Sequence, residues 1–352
     1  MWAQLKAILL LVTALLLGSF ADGQTMTTIM GTDTVSSPVT GRLYLTTIPA
    51  FRAGKTLSGN IINITGLTRN VRYQVRMVAG GSLTNGSTTF PLSQINANVS
   101  AFRCVTNNHS FRLVTVPTGN QPLGATSNTA TATNGIALAT FETQGPSGAS
   151  AVQLSFAMIC LANSGTLNLV PGDDQAARAY GGLTIRFTLW WDDPNLGWTL
   201  LSTNIPSPNF SLGVTNAIEL VLGPSPAVNF RLANASMYRQ NQRITLNQQV
   251  QVSSNMPFNL LAYASSSNLS NGNATTTIPT NRVSLRITNI GVGAISSFTT
   301  LGVAATPATL TTSVERGLDQ TFNFEYQLAT GTATLIPGGT FNNNLTLRAI
   351  QL

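Results

Sequence analysis

The sequence predicts an all-β chain of two antiparallel β-sandwich domains, and three observations lead to that class. Apolar residues alternate with polar ones along many short segments, as in strands with one face in a core and one in water. Turn-forming pairs such as Asn85-Gly86 and Asn271-Gly272 separate these segments, and no comparable window beyond residue 23 shows a 3.6-residue period. Only 8% of the residues are charged, against about 25% in an ordinary soluble domain, so the Glu and Lys that long exposed helices need are scarce.

The N-terminus predicts export. Lys6 supplies a positive charge, Ala7–Leu17 is an apolar run interrupted only by Thr13, and small residues allow cleavage after Ala21 or Gly23. The alternative is a membrane anchor, but a spanning helix needs about 20 apolar residues, more than this run provides. We therefore expect a signal peptide over 1–23 and a secreted or cell-surface chain with no transmembrane segment after cleavage.

The alternating segments fall into two groups, which predict two domains. The first group lies at 71–77, 152–160 and 183–191, and the second at 244–252, 283–287 and 322–328. Between the groups, Pro206 and Pro208 interrupt sheet pairing and stiffen the chain. The sequence thus predicts an N-terminal sandwich over 24–203, a linker over 204–208 and a C-terminal sandwich over 209–352.

Charge and catalytic residue types argue against several functions. The net charge of +7 is spread evenly, without the basic run or basic helix that nucleic-acid binding requires. His109 is the only histidine, and it lies in a turn-like polar segment. The acidic pairs Asp173-Asp174 and Asp192-Asp193 adjoin Pro or Gly in turns, where Asp caps backbone groups. We expect no enzyme activity, no cofactor, no metal site and no nucleic-acid partner.

Cys104 and Cys160 are the only cysteines, and both lie in the first half of the chain. An even pair in an exported protein is most simply a disulfide. The alternative is two separate buried thiols. The sequence predicts the disulfide.

The segment from Trp190 to Trp198 holds three of the four tryptophans. As a hairpin it would place Trp191 on the face of Leu189 and Trp190 on the opposite face. Trp190, Asp192, Asp193 and Trp198 are the candidate ligand-binding residues, because an exposed indole can stack on a sugar ring while neighbouring carboxylates bind its hydroxyls. The alternative, which the sequence favours, is that Trp191 is a core residue and the other tryptophans cover the end of the sandwich.

Three segments of the C-terminal half carry a resemblance to a known group: 252–260 (VSSNMPFNL), 317–328 (GLDQTFNFEYQL) and 336–347, with its Pro-Gly turn and last strand. They resemble the subunits of bacterial surface fibres, of the chaperone–usher pilin and spore-coat-U-like kind, over residues 244–352. The resemblance implies an Ig-like sandwich. It also implies subunits joined by a strand that one copy donates into an open groove of the next.

These observations predict a non-enzymatic structural protein of the cell surface or of a pilus-like fibre, whose partners are other copies of itself or related surface subunits. The alternative is a two-domain adhesin in which residues 24–203 bind a glycan. A buried tryptophan hairpin favours the first function, and a hairpin exposed beside a concave polar site favours the second. Thr27–Val35 is a candidate donor strand, although an ordinary first strand is the preferred interpretation.

Overall fold

The computed structural model describes residues 24–30, 40–105, 110–123, 135–145, 150–162, 180–203, 209–224, 227–272, 277–289, 297–330 and 336–352. The expected signal peptide and the linker over 204–208 lie outside the described residues, as do His109 and Asp173-Asp174. Among the described residues, no helix is long and apolar enough to cross a membrane. The chain divides into two compact units that meet in the sequence between Thr215 and Asn216, here called unit 1 and unit 2.

The first unit is built almost entirely of strands. Its elements are β1 (Thr25–Ile29), β2 (Arg42–Leu45), α1 (Ile48–Ala53), β3 (Lys55–Leu67), β4 (Arg72–Ala79), β5 (Leu83–Asn85), β6 (Thr88–Phe90), a 3-10 turn (Leu92–Gln94), β7 (Ile95–Cys104), β8 (Ser110–Thr115), β9 (Gln121–Pro122), β10 (Ile136–Gln144), β11 (Ser150–Cys160), β12 (Tyr180–Asp193), β13 (Gly197–Thr203) and β14 (Asn209–Val214).

Two sheets face each other in unit 1. One has the order β1-β3-β11-β7-β9, and the other has the order β2-β14-β12-β4-β10-β8, with β13 and the β5–β6 hairpin attached to β12. Aromatic contacts join the inner faces, since the rings of Phe156 and Phe187 lie 5.3 Å apart and those of Phe102 and Phe141 lie 4.9 Å apart. These pairs connect β11 with β12 and β7 with β10, so the core lies between the sheets.

The C-terminal part of the chain, from Asn216 onward, forms unit 2. Its elements are β15 (Ile218–Leu222), a 3-10 turn (Met237–Arg239), β16 (Gln242–Ser254), β17 (Phe258–Ala264), β18 (Asn268–Ser270), β19 (Thr277–Pro279), a 3-10 turn (Thr280–Arg282), β20 (Val283–Ile287), β21 (Thr299–Thr300), β22 (Gly302–Val303), β23 (Ala308–Thr309), β24 (Gly317–Leu328) and β25 (Leu345–Gln351).

Unit 2 is also a sandwich. One sheet has the order β15-β16-β24-β20-β21, and in the other β17 pairs with β22, β23 and β25. The rings of Phe258 in β17 and Phe322 in β24 lie 6.2 Å apart, which places these inner faces against each other. Nearly all strand pairs are antiparallel, and the exceptions among the described strands are β2 with β14 and β17 with β22.

The all-β prediction is confirmed, and every segment chosen for its alternation lies in a strand, apart from Val71, which directly precedes β4. The division between the units falls later than the linker chosen from the prolines. The reason is that β14 pairs with β12 and with β2, and therefore belongs to the second sheet of unit 1. At the N-terminus, Thr25–Ile29 pairs antiparallel with β3 of its own unit, as an ordinary first strand. The rest of the candidate donor stretch, beyond Met30, lies outside the described residues.

Candidate functional site

The tryptophan segment forms the expected hairpin. In the ladder of β12 and β13, Trp190 faces Leu200, Trp191 faces Thr199 and Asp192 faces Trp198. Pro194, Asn195 and Leu196 form the turn, and Gly197 closes it with a left-handed backbone (φ 70°). We call residues 190–198 the tryptophan hairpin.

Burial within the hairpin differs from the interpretation favoured from the sequence. Trp190 is 6% exposed, and its indole N–H donates to the Thr188 hydroxyl at 2.9 Å. Trp191 and Trp198 are only half-buried. The core tryptophan is therefore Trp190 and not Trp191, because both faces of β12 are covered from Phe187 to Trp190.

The two aspartates of the hairpin have different environments. Asp193 is buried, and its carboxylate accepts the backbone N–H groups of Asn195 (2.7 Å) and Leu196 (3.1 Å). It therefore holds the turn, as Asp does in many tight turns. Asp192 is about one-third exposed and faces Arg72, with 3.4 Å between its Oδ2 and the Arg72 Nη1.

Four neighbouring strands bring a row of polar and aromatic side chains together at this end of the sheet. Glu142 of β10 lies opposite Arg72 of β4, Arg72 contacts Asp192 of β12, and Asp192 lies opposite Trp198 of β13. The Arg72 guanidinium carbon lies 5.7 Å from the centre of the Trp198 ring, within cation–π range. The row thus alternates negative, positive and negative charge before ending on an indole.

Hydrogen bonds hold the adjoining turn, residues 68–71, against β10. The backbone N–H of Asn70 donates to the Thr143 carbonyl at 2.7 Å, and the Thr143 N–H donates to the Val71 carbonyl at 3.1 Å. The Thr68 N–H donates to the Tyr73 hydroxyl at 2.9 Å. Burial raises the pKa of Tyr73, and the hydrogen bonds with Thr68 offset part of that rise. The turn next to the charged row is therefore fixed by the sandwich.

A pocket of about 320 Å³ opens at this place, and Asn70, Arg72, Glu142, Trp191, Asp192 and Pro194 are among the residues that line it. Of the four candidates chosen from the sequence, Asp192 lines the pocket, and Trp198 contacts the lining residue Arg72. Trp190 is a core residue, and Asp193 stabilises the turn of the hairpin. The sequence reasoning missed Arg72 and Glu142, which come from strands distant in sequence.

The two cysteines are not bonded to each other, which corrects the disulfide prediction. In the ladder of β7 and β11, Cys104 faces Val152, eight positions before Cys160 on the same strand. At about 3.3 Å per residue that is about 26 Å, whereas a disulfide needs Cα atoms within about 7 Å. The Cys104 thiol contacts the Ala151 carbonyl oxygen at 3.6 Å. Cys160 is fully buried, and burial raises the pKa of its thiol to about 12.

Unit 2 has a second feature of interest, where two edge strands border its core. β15 pairs only with β16 and β25 pairs only with β17 among the described strands. The Gln351 side-chain amide, at the end of β25, donates to the carbonyl of Ala217 (2.9 Å), just before β15, and to the Ser254 hydroxyl (3.0 Å). This side chain closes one end of the space between the two edges. We call β15 and β25 together the open edge.

The hydrogen bonds between β25 and β17 show which backbone groups of β25 point away from the sheet. The N–H of Leu352 donates to the carbonyl of Pro257, and the carbonyl of Asn344 accepts from Ser265. Even-numbered residues of β25 therefore bond to β17, so the N–H and C=O groups of the alternate residues point away from it. The outward residues are Leu345, Leu347, Ala349 and Gln351.

The side chains of the open edge are largely apolar. Ile218, Leu220, Leu345, Leu347 and Ala349 pack against the core of unit 2 and remain partly exposed. Val221 and Leu222 are 46% and 53% exposed. Glu219 and Arg348 are the only charged residues of the two strands, although natural edge strands are commonly protected by charge, proline or a bulge.

No family model matches the chain, and no curated protein matches it. Among solved structures it is similar to the CupB6 tip adhesin from Pseudomonas aeruginosa, with 9% identity, a TM-score of 0.29 and 93% of each chain covered. It is also similar to the secreted serine protease VesC from Vibrio cholerae, with 9% identity and a TM-score of 0.15, over 87% of this chain and 49% of that one. Neither TM-score is high enough to assign a fold or a function to this chain.

Proposed function

We propose that the chain is an exported structural protein of the cell surface or of a surface fibre, and that its copies join by β-strand addition at the open edge of unit 2. The observation that supports this most is the outward backbone row of Leu345, Leu347, Ala349 and Gln351. Those groups form no ladder with a described strand, while the side chains of the first three lie on the core. A strand from another copy would bond to this row and cover the apolar side chains at once.

The rest of the sequence supports assembly outside the cell. The apolar N-terminal run is typical of a secretory signal, and the Thr- and Asn-rich surface carries few charges. An interface between two such surfaces requires little desolvation of charge. Since Glu219 and Arg348 are the only charged residues of the two edge strands, charge repulsion offers little protection against pairing.

A proline at position 347 tests the proposal, since the backbone N–H of Leu347 points away from β17. Leu347→Pro removes an outward donor and leaves the bonds to β17 in place, because proline is tolerated on the free side of an edge strand. Leu347→Ala is the matched control, which loses the side-chain contact but keeps the N–H. The mature chain, residues 24–352, is followed by sedimentation velocity over a concentration series.

We expect the unmodified chain to associate, Leu347→Ala to associate more weakly, and Leu347→Pro to remain monomeric with an unchanged far-UV spectrum. Thr346→Pro checks the ladder assignment, since it removes an inward donor and should lower the stability of unit 2. A mature chain that stays monomeric at every concentration would contradict the proposal. So would Leu347→Pro that associates like the unmodified chain.

A further inference from the structure

The pocket beside the tryptophan hairpin belongs to unit 1 and plays no part in the proposed assembly. We propose that it binds a neutral monosaccharide unit of a glycan. Its volume of about 320 Å³ lies at the lower end of the range for small-molecule sites, which suits one sugar ring. It is a fixed feature of the fold, because the turn over 68–71 and the turn held by Asp193 both border it.

The chemistry of the lining favours a polyhydroxylated ligand. Trp191 supplies a flat apolar surface, on which the C–H face of a sugar ring can stack. Asp192 and Glu142 supply carboxylate oxygens that accept hydrogen bonds from hydroxyl groups. Arg72 supplies donors in a planar fork, and the Asn70 amide can both donate and accept.

The charges of the lining determine which sugars fit. Arg72 is flanked by Glu142 across one strand pair and by Asp192 across the other, so the three side chains carry a net charge of −1. The guanidinium is already partly neutralised by Asp192 at 3.4 Å and lies over the Trp198 ring. An acidic sugar would meet repulsion from both carboxylates, whereas a neutral one would not.

The test measures binding of the mature chain to methyl glycosides of glucose, galactose, mannose and N-acetylglucosamine by NMR titration. Sialyllactose provides the acidic arm and tetramethylammonium provides a cationic arm. We compare Trp191→Ala and Asp192→Asn with the unmodified chain. Leu200→Thr is the matched control, because Leu200 is an exposed apolar residue of the neighbouring strand β13 and is not among the residues that line the pocket.

We expect at least one neutral glycoside to bind and to change the NMR chemical shifts of Trp191 and the residues around it. Sialyllactose should bind more weakly. Trp191→Ala and Asp192→Asn should each weaken binding by about tenfold or more, and Leu200→Thr should not. Asp192→Asn should fold normally, because Asp192 is partly exposed and Asn has almost the same size. The test therefore does not depend on whether Trp191→Ala folds. No binding of any neutral glycoside, preference for the acidic or the cationic probe, or unchanged binding in Asp192→Asn would each overturn the inference.

Discussion

Thiol reactivity gives a direct check of the strand register in unit 1. We predict that the denatured, unreduced mature chain contains two thiols, because the ladder of β7 and β11 holds Cys104 and Cys160 about 26 Å apart. In the folded chain the two thiols should differ sharply. Cys160 is fully buried and its pKa is raised from 9.0 to about 12, so its thiolate is about a thousandfold scarcer at pH 8 than in an unfolded chain.

The assay is alkylation with iodoacetamide at pH 8, followed by mass spectrometry of the peptides. Cys104 is only half-buried and should be modified in the folded chain, while Cys160 should be modified only after denaturation. The Cys104→Ala variant, as the control, should show no modification until it unfolds. A denatured chain without any thiol would mean that the disulfide forms and that the register of β7 and β11 is wrong. Modification of Cys160 at the rate of Cys104 would refute the burial argument.

Two further predictions concern stability. Burial raises the pKa of the Tyr326 hydroxyl above its ordinary 10.0, and this hydroxyl has no hydrogen-bond partner among the described residues. Since the folded state holds the proton more tightly than the unfolded state, the contribution of Tyr326 to stability is constant below about pH 10 and falls as the pH rises beyond it. At pH 7, Tyr326→Phe should therefore unfold at nearly the same denaturant midpoint as the unmodified chain. Above pH 10 its unit 2 should lose less stability than that of the unmodified chain. An equal loss of stability in both chains would contradict this. The second prediction concerns the division of the chain: a fragment ending at Thr215 keeps β14 on β12 and β2, whereas one ending at residue 208 loses that strand. Circular dichroism melting should show cooperative unfolding of the longer fragment and a clearly lower midpoint for the shorter one, and equal midpoints would place the boundary at the prolines instead.

Strand positions were predictable because alternation reports a core on one side of a strand. The segment at 152–160 lies within β11, and the segment at 71–77 lies within β4 apart from Val71; the alternating apolar residues of both strands are buried. The same rule failed for Trp190, because β12 is covered on both faces there and the alternation no longer separates buried from exposed residues. The short helix α1 was also missed, since six residues are too few to show a helical period.

Long-range register could not be predicted from the sequence. Between Cys104 and Cys160 the chain passes through β8 and β10 of the other sheet before it returns as β11 beside β7. The return is antiparallel, which sets the two cysteines at opposite ends of the pair. The same limit hid part of the candidate site: Asp192 and Trp198 stood out by their spacing, but Arg72 and Glu142 come from strands whose pairing only the fold reveals. That Glu142 is one of only four glutamates was the one available signal.

Residue-resolved amide hydrogen exchange tests strand addition at the open edge most directly. The mature chain is compared at a low concentration, where it is dispersed, and at a high concentration, where it is assembled. The amides of Thr346, Arg348 and Ile350 face β17 and should be protected in both states. We predict that Leu345, Leu347, Ala349 and Gln351 exchange rapidly in the dispersed chain and become protected on assembly, which gives an alternating pattern along β25. Assembly that leaves these four amides unprotected would contradict strand addition at this edge.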